Sequence, residues 1–303
     1  MTGAGAVESD ELSLFEAERP RLQAAAFRML GSADEAQDAV QEAWLRFQRS
    51  DRSVLENPAA WLLTVTGRIC LDVLRARRAK PESPVGPDTL AALAPAGAPR
   101  AGAGAADPAE EAVLVESVGR ALLVVLARLG PAERIAFVLH DLFAVPFEEI
   151  GPVVGRTPAT AKKLASRARG RVRAPAADSA VDVAWHRRVV EAFIAAARGR
   201  DLAGLLAVLD PDVVRVADPA AVPAGARLEL HGAQDVAEET VLLYRNALDA
   251  AIALVDGHVG LVVAPRGVLR AVLRLRIVDG RIAEYAVIAD PVRLARLEVA
   301  VIE

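Results

Sequence analysis

The 303-residue sequence has a single cysteine, Cys70, and four histidines. One cysteine excludes an internal disulfide framework and a cysteine-based zinc site, because either needs at least two thiols. The histidines are scattered without the spacing of metal ligands: His140, His186, His231 and His258. We therefore expect no metal and no cofactor, and we expect Cys70, which lies in an apolar helical run, to be a small buried side chain.

Long apolar runs are also missing. No stretch reaches the length of a membrane span, and residues 1–13 lack the basic and apolar regions of a secretory signal. We therefore expect a cytoplasmic protein without a membrane partner. At 53% apolar residues the chain can still bury hydrophobic cores, and its length favours two or three domains.

The chain is slightly acidic overall, but one segment of it is strongly basic. The formal net charge is -4, yet the segment from Arg156 to Arg173 contains seven Lys/Arg and no Asp/Glu. A local basic cluster of this kind is typical of a surface that binds phosphates.

The same part of the chain predicts a helix-turn-helix. Residues 146–150 begin one helix, Gly155 ends it, and Thr157-Pro158 begins the next with a capping hydroxyl and a first-turn proline. Side chains near the start of the second helix would meet base edges, and later arginines would meet phosphates. The predicted DNA-binding residues here are Arg156, Thr157, Thr160, Lys162, Lys163, Ser166, Arg167 and Arg171.

An ordinary helical corner with a solvated basic face is the alternative. The apolar positions of the segment favour the helix-turn-helix, because they recur on one side and can face the first helix. These positions are Val153, Val154, Leu164, Ala168 and Val172.

Composition divides the chain into segments. Residues 10–79 predict a small helical bundle, in which helix 34–48 has an acidic side and a helix starting near Asn57-Pro58 ends in arginines. Residues 80–109 are rich in Ala, Gly and Pro and predict a flexible linker. Residues 110–173 predict a second all-α domain, which ends in the helix-turn-helix.

Residues 183–303 predict an α+β domain with a curved antiparallel sheet. A helix over 233–247 is followed by apolar runs, including a strand over 268–278, within which 272–278 alternate between apolar and basic residues for several positions. Asp279-Gly280 is a strong two-residue hairpin turn.

Two motif blocks resemble the extracytoplasmic-function sigma factors of RNA polymerase. Residues 34–45 (DEAQDAVQEAWL) are similar to the family's polymerase-binding helix, and residues 61–68 (WLLTVTGR) to the helix that handles the minus-10 promoter element. Gly67-Arg68-Ile69 stands where the family usually has Ala-Arg-Asn. Residues 129–134 and 147–173 resemble the domain that reads the minus-35 element.

The resemblance implies roles for individual residues. Core RNA polymerase would be bound by Asp34, Asp38, Gln41 and Glu42. Promoter DNA would be bound by the helix-turn-helix and also by Arg68, Arg75, Arg77 and Arg78. The loop over 50–57 would hold an unstacked minus-10 base, although Asn57 is alternatively only the cap of its helix.

Residues 183–303 resemble the SnoaL-like domain, a cone-shaped α+β fold that some of these sigma factors carry. Residues 290–297 (DPVRLARL) are similar to its Asn-Pro-Asp-Lys-Leu motif, whereas residues 218–223 (DPAAVP) stand where many members have a glycine-rich motif. The resemblance implies a regulatory module, with a possible small ligand in its pocket. The pocket candidates are Asp218, His231, Tyr244, His258 and Tyr285.

The sequence thus predicts a multidomain protein: two all-α domains followed by a cone-shaped α+β domain. Its expected function is transcription initiation, modulated by the last domain. Because the pocket candidates form no paired catalytic constellation, no catalytic residue is expected. The alternative is a helix-turn-helix regulator that acts without docking on polymerase. Its fused SnoaL-like domain would then bind a ligand or act as an enzyme.

Overall fold

The computed structural model describes residues 3–50, 55, 57–79, 119–173, 177, 179–222 and 225–302. The predicted linker at 80–109, residues 110–118 of the second domain, and most of the loop at 50–57 lie outside this part of the chain.

The first domain consists of α1 (Gly3–Leu30), α2 (Ala33–Arg49) and α3 (Pro58–Ala79). Gly31, with φ +76°, ends α1, and the Ser32 hydroxyl caps α2 by accepting from Glu35 N at 3.4 Å. The Asn57 side chain caps α3 by accepting from Ala60 N at 3.1 Å. α2 extends one residue beyond the predicted 34–48 at each end, α3 begins at Pro58, and α1 begins before residue 10.

Aromatic rings and small side chains fill the core of this domain. Trp44 stacks between Phe15 and Phe47, with ring centroids 4.5 and 5.7 Å apart. Cys70 is fully buried, as predicted, and its burial raises the pKa of the thiol to about 12.

The second domain contains a helix over 119–127 (α4), α5 (Pro131–Phe137), α6 (Phe147–Val154) and α7 (Pro158–Val172). A π-helical segment, Val138–Leu142, continues α5. Gly155 ends α6 in the left-handed region, with φ +68°, and the Thr157 hydroxyl caps α7 by accepting from Thr160 N at 3.3 Å. The predicted helix-turn-helix, α6 to α7, is confirmed.

The third domain begins with α8 (Ala180–Gly199) and α9 (Leu202–Val208) and contains a seven-stranded sheet in the order β2-β1-β6-β5-β4-β3-β7. The other helices are α10 (Ala233–Leu242), α11 (Tyr244–Leu248) and α12 (Pro291–Arg296). The strands are β1 (Leu209–Ala217), β2 (Glu229–His231), β3 (Ala250–Val255), β4 (His258–Val263), β5 (Ala271–Val278), β6 (Arg281–Ile288) and β7 (Val299–Ala300). The predicted α+β class is confirmed.

Details of this domain differ from the prediction. The sheet is mixed, because β1 pairs with β6 in parallel after a long crossover rather than through a hairpin. The helix predicted over 233–247 breaks at Leu243, whose ψ is 16°. The strand predicted from Val268 begins only at Ala271, because Pro265–Gly267 forms a 3-10 turn.

The two faces of the sheet bury different partners, since side chains alternate along each strand. One face packs with α8 and α9 in a core that includes Phe193, Leu205 and Tyr285. The other face contributes to the hydrophobic core of the two helical domains through Ala251, Ala253, Val262, Val272 and Ile288. The domains are therefore packed on one another through a continuous apolar core.

Candidate polymerase and nucleic-acid interfaces

The α2 helix separates an acidic face from an apolar one. Asp34, Asp38 and Gln41 are exposed, and Glu42 is half-buried and pairs with Arg46 at 2.9 Å. The opposite face is buried in the first domain through Ala36, Ala39, Val40, Ala43 and Phe47. All four predicted polymerase-binding side chains therefore lie together on the accessible side of one helix.

The predicted arginines of α3 are exposed but differ in their contacts. Arg77 pairs with Glu35 and donates from Nη1 to Leu30 O at 3.0 Å, so it ties α3 to the ends of its two neighbours. Arg75 lies 3.7 Å from Asp72. Arg68 and Arg78, by contrast, make no ion pair with any residue that the structure describes.

The predicted DNA-binding side chains of the helix-turn-helix lie on its accessible side. They are exposed except for Thr160, which is half-buried. The other side of α7 packs against α5 and α6 through Ala161, Leu164, Ala165, Ala168 and Val172. The third domain therefore covers none of these exposed side chains.

Two carboxylates hold the arginines of α7, and the sequence does not predict them as part of this surface. Glu133 of α5 lies 3.0 Å from Arg171 and 3.3 Å from Arg167. Asp141 accepts from Arg169 at 2.6 Å, and this hydrogen bond raises the pKa of Arg169. The capping position of Glu133, which accepts from Gly130 N, is visible in the sequence, but its pairing with α7 is not.

A buried arginine joins the two helical domains. Arg134 of α5 donates from Nη1 to Met29 O at 2.9 Å, and its Nε has no hydrogen-bond partner in the described part of the chain. Burial, and then the charge of Arg77, lower the pKa of Arg134 to about 10. Nearby, a Cβ on Gly67 of α3 would lie only 3.1 Å from Leu139 Cδ1. The domains therefore pack at close range.

A crevice of about 240 Å³ separates α3 from α6. Arg68 and Thr64 line it from the first domain, and Glu149, Pro152 and Val153 from the second. The helix predicted to handle the minus-10 element thus lies beside the helix-turn-helix.

The third domain is hydrogen-bonded to the second. Arg128 Nη2 donates to Leu294 O of α12 at 2.5 Å, and Arg120 Nη1 donates to Leu248 O at 2.7 Å. Val301 N, next to β7, donates to Val172 O at the end of α7 at 3.0 Å. Val301 therefore contacts the end of α7, the second helix of the helix-turn-helix.

Asp218 positions α12 for these contacts. Its buried carboxylate accepts from Ala289 N and Asp290 N, both at 3.1 Å, and pairs with Arg293. Asp218, which stands where many SnoaL-like domains have a glycine-rich motif, therefore contacts the segment at 290–297 that resembles the other SnoaL-like motif.

The five predicted pocket candidates do not converge. Tyr285 is buried in the third domain and lies 3.2 Å from the Thr240 hydroxyl, whereas Asp218 faces α12. His231 is exposed beside Glu229, and Tyr244 lies under Arg200. His258 lines a cleft at the start of β4, and the residues that line this cleft do not include Tyr285.

The interior of the third domain instead holds a buried ion pair that the sequence does not predict. Arg215 of β1 pairs with Glu239 and donates to Arg227 O and Leu228 O, each at 3.1 Å. In the described ranges, no cluster of His, Cys, Asp and Glu could hold a metal ion. Nor is any described helix long and apolar enough to cross a membrane.

Comparison with known proteins places this architecture among transcription factors. The family model "Sigma-70 region 2" matches residues 14–80, and "Sigma-70, region 4" matches residues 119–172. The chain is 36% identical over 297 residues to the ECF RNA polymerase sigma factor SigJ of Mycobacterium tuberculosis, covering 93% of this chain and 92% of SigJ. It is 34% identical over 278 residues to the probable ECF sigma factor SigI of the same species, covering 91% and 92%.

Among solved structures, the crystal structure of Mycobacterium tuberculosis SigJ is similar to this chain. The sequence identity is 34%, the TM-score is 0.45, and the match covers 92% of this chain and 96% of the other.

Proposed function

The chain belongs to the extracytoplasmic-function RNA polymerase sigma factors, and we propose which of its surfaces contact polymerase and promoter DNA. Residues 10–79 bind core polymerase and the minus-10 element, residues 110–173 bind the minus-35 element, and residues 183–303 modulate the activity. The observation that carries this proposal is the exposure of an acidic face on α2 and of a basic face on α7 within one chain.

Core polymerase is bound by the acidic face of α2. Asp34, Asp38, Gln41 and Glu42 present carboxylates and an amide from successive turns, which suits basic and polar groups on a partner. Since polymerase acts in the cytoplasm, we place the protein there.

Promoter DNA is bound by α3 and α7. Arg68, Arg75, Arg77 and Arg78 contact the backbone near the minus-10 element, while the start of α7 meets base edges. Each phosphate neutralised lowers log affinity by about 0.9 per unit of log salt, so half a dozen contacts make binding steeply salt-sensitive.

The third domain modulates activity by holding the two helical domains together. A promoter whose minus-35 and minus-10 elements lie apart requires the two helical domains to separate. Their separation breaks the Arg134–Met29 hydrogen bond and the packing of Gly67 on Leu139. The connecting segment keeps the separated domains at high effective concentration, which favours promoters that carry both elements.

An enzymatic third domain fused to a polymerase-independent regulator is not favoured, because the chain's family consists of polymerase-binding initiation factors. A small ligand of the third domain remains part of the proposal, as a regulator rather than a substrate.

Transcription in vitro tests this proposal. Core polymerase with the full chain should start transcripts from a subset of promoters, and Asp38→Arg should abolish them by reversing a charge on the α2 face. Asp235→Arg, an equally exposed substitution on α10, is the matched control and should leave transcription unchanged. Equal activity of Asp38→Arg and the wild type would refute the polymerase-binding role of α2.

A further inference from the structure

Strands β4 and β5 separate at one end of the sheet. Their pairing runs from Val263↔Ala271 to Gly260↔Arg274, although β4 begins at His258 and β5 continues to Val278. The ladder between β5 and β6 is irregular between Arg276 and Ile277, and such irregularities bend a strand away from its neighbour. The result is a cleft of about 520 Å³.

Consecutive residues of β4 and of β5 line the cleft, so its walls come from both faces of the sheet. The volume is within the range of pockets that hold small molecules. Apolar side chains line part of it: Val255, Val259, Leu275 and Ile277. The polar side chains that line it are His186, Asp256, His258, Arg274, Arg276 and Glu284.

The two arginines have hydrogen-bond donors available. Arg274 lies 3.5 Å from Asp256 but donates no hydrogen bond to any described residue, and Arg276 uses only Nε, toward Glu284 at 3.2 Å. A guanidinium carries five N–H donors in a planar fork that matches a carboxylate or phosphate. His186 and His258 add imidazoles on the same cleft. The site therefore favours an anionic group attached to a small apolar body.

The turn between β3 and β4 connects this cleft to α7. Asp256 and Glu298 exchange hydrogen bonds, with Asp256 N donating to Glu298 O at 2.8 Å and Glu298 N donating to Asp256 Oδ1 at 2.9 Å. Ala177 N, in the segment that follows α7, donates to Gly257 O at 2.8 Å. Glu298 directly precedes β7, and Val301 beyond β7 bonds to the end of α7.

We propose that the cleft between β4 and β5 binds a small metabolite with a carboxylate or phosphate group, held by Arg274 and Arg276. An anion that competes with Asp256 for Arg274 changes the charges at the turn between β3 and β4. That turn is hydrogen-bonded both to Ala177, after α7, and to Glu298, just before β7. Ligand binding is thereby communicated to the minus-35-reading domain. This last step rests on the function proposed above, whereas the binding site itself does not.

Amide NMR of the 15N-labelled full chain tests the site, with inorganic phosphate and succinate as probes at constant ionic strength. Saturable shifts are expected for residues 256–260 and 274–277. Arg274→Met and Arg276→Met should each weaken binding at least tenfold, while Arg281→Met, an exposed arginine at the start of β6, should not. Saturation by phosphate alone, by succinate alone or by both identifies which oxyanion the site accepts.

The proposal is overturned if neither probe gives saturable shifts, if the shifts map to the basic residues of α7 at 157–171, or if they survive both substitutions. Unchanged spectra outside the cleft verify that the variants are folded. Because no polymerase is present, this experiment can fail or succeed independently of the transcription test.

Discussion

At the scale of single residues, the basic surface of α7 is partly neutralised by the protein itself. Glu133 pairs with Arg167 and Arg171, whereas Lys162 and Lys163 have no ion pair within the described residues. Phosphates must therefore compete with Glu133 for two of the arginines.

Replacing Glu133 by Gln should tighten minus-35 DNA binding by about threefold, since each exposed ion pair is worth less than about 1 kcal/mol. Glutamine retains an oxygen that can accept from Gly130 N, so the start of α5 is preserved. Fluorescence anisotropy of the full chain at fixed salt measures the change. Weaker binding would instead mean that Glu133 positions the arginines for DNA.

If the Lys163 side chain neutralises one phosphate, Lys163→Ala should weaken binding to DNA of any sequence. It should also reduce the slope of log affinity against log salt concentration by about 0.9. Arg188→Ala, an exposed substitution on α8, is the control and should leave the slope unchanged. A normal slope for Lys163→Ala would remove this residue from the interface.

The thiol of Cys70 should be inert in the native protein, because burial raises its pKa to about 12 and the thiolate is the reactive form. Its folded pKa is above the ordinary thiol value of 9.0, so its contribution to stability is fully present below pH 9 and is lost between about pH 9 and 12. Reaction with a disulfide reagent should be fast only in denaturant. Fast labelling of the native protein would contradict the burial.

At the scale of secondary-structure elements, local signals predict most boundaries. The capping of α2 by Ser32, of α3 by Asn57 and of α7 by Thr157 depends on neighbouring residues only. The same holds for the hairpin at Asp279-Gly280, where φ is 48° and 80°.

Non-local contacts could not be predicted in this way. The parallel pairing of β1 with β6 joins residues more than sixty positions apart, and the break of the 233–247 helix at Leu243 has no local glycine or proline to mark it. Helical periodicity in the sequence predicts the candidate faces of α2 and α7. The contacts of Glu133 and Asp141 and the grouping of the cleft residues can be identified only from the tertiary structure.

Glycines of the helix-turn-helix should respond oppositely to alanine. Gly155→Ala should lower the free energy of unfolding by about 1 kcal/mol, because φ is +68° there. Gly170→Ala should raise it by about 0.5–1 kcal/mol, because this glycine is helical and a Cβ there would meet no atom within 4 Å. Urea unfolding of the full chain measures both, and the same sign for both would contradict the assigned backbone conformations.

At the scale of the whole molecule, the three domains share a core, yet the candidate polymerase and DNA surfaces remain exposed. We therefore propose that activity is limited by the distance between the two helical domains rather than by coverage of their contact residues.

Arg134→Met should favour the separated state, because it removes the buried guanidinium that bonds to Met29 O. We expect a larger radius of gyration in X-ray scattering and severalfold more transcript from a promoter with both elements. Arg281→Met, which replaces an exposed arginine at the start of β6, is the control and should leave both quantities unchanged. A more compact or unchanged Arg134→Met variant would show that the buried arginine does not hold the domains together.

The central claim is that the acidic face of α2 docks this chain on core RNA polymerase. Size-exclusion chromatography of the full chain with purified core polymerase at low salt measures this directly. We predict that the wild type and Asp235→Arg elute with polymerase and that Asp38→Arg elutes alone. Elution of the wild type apart from polymerase would contradict the account.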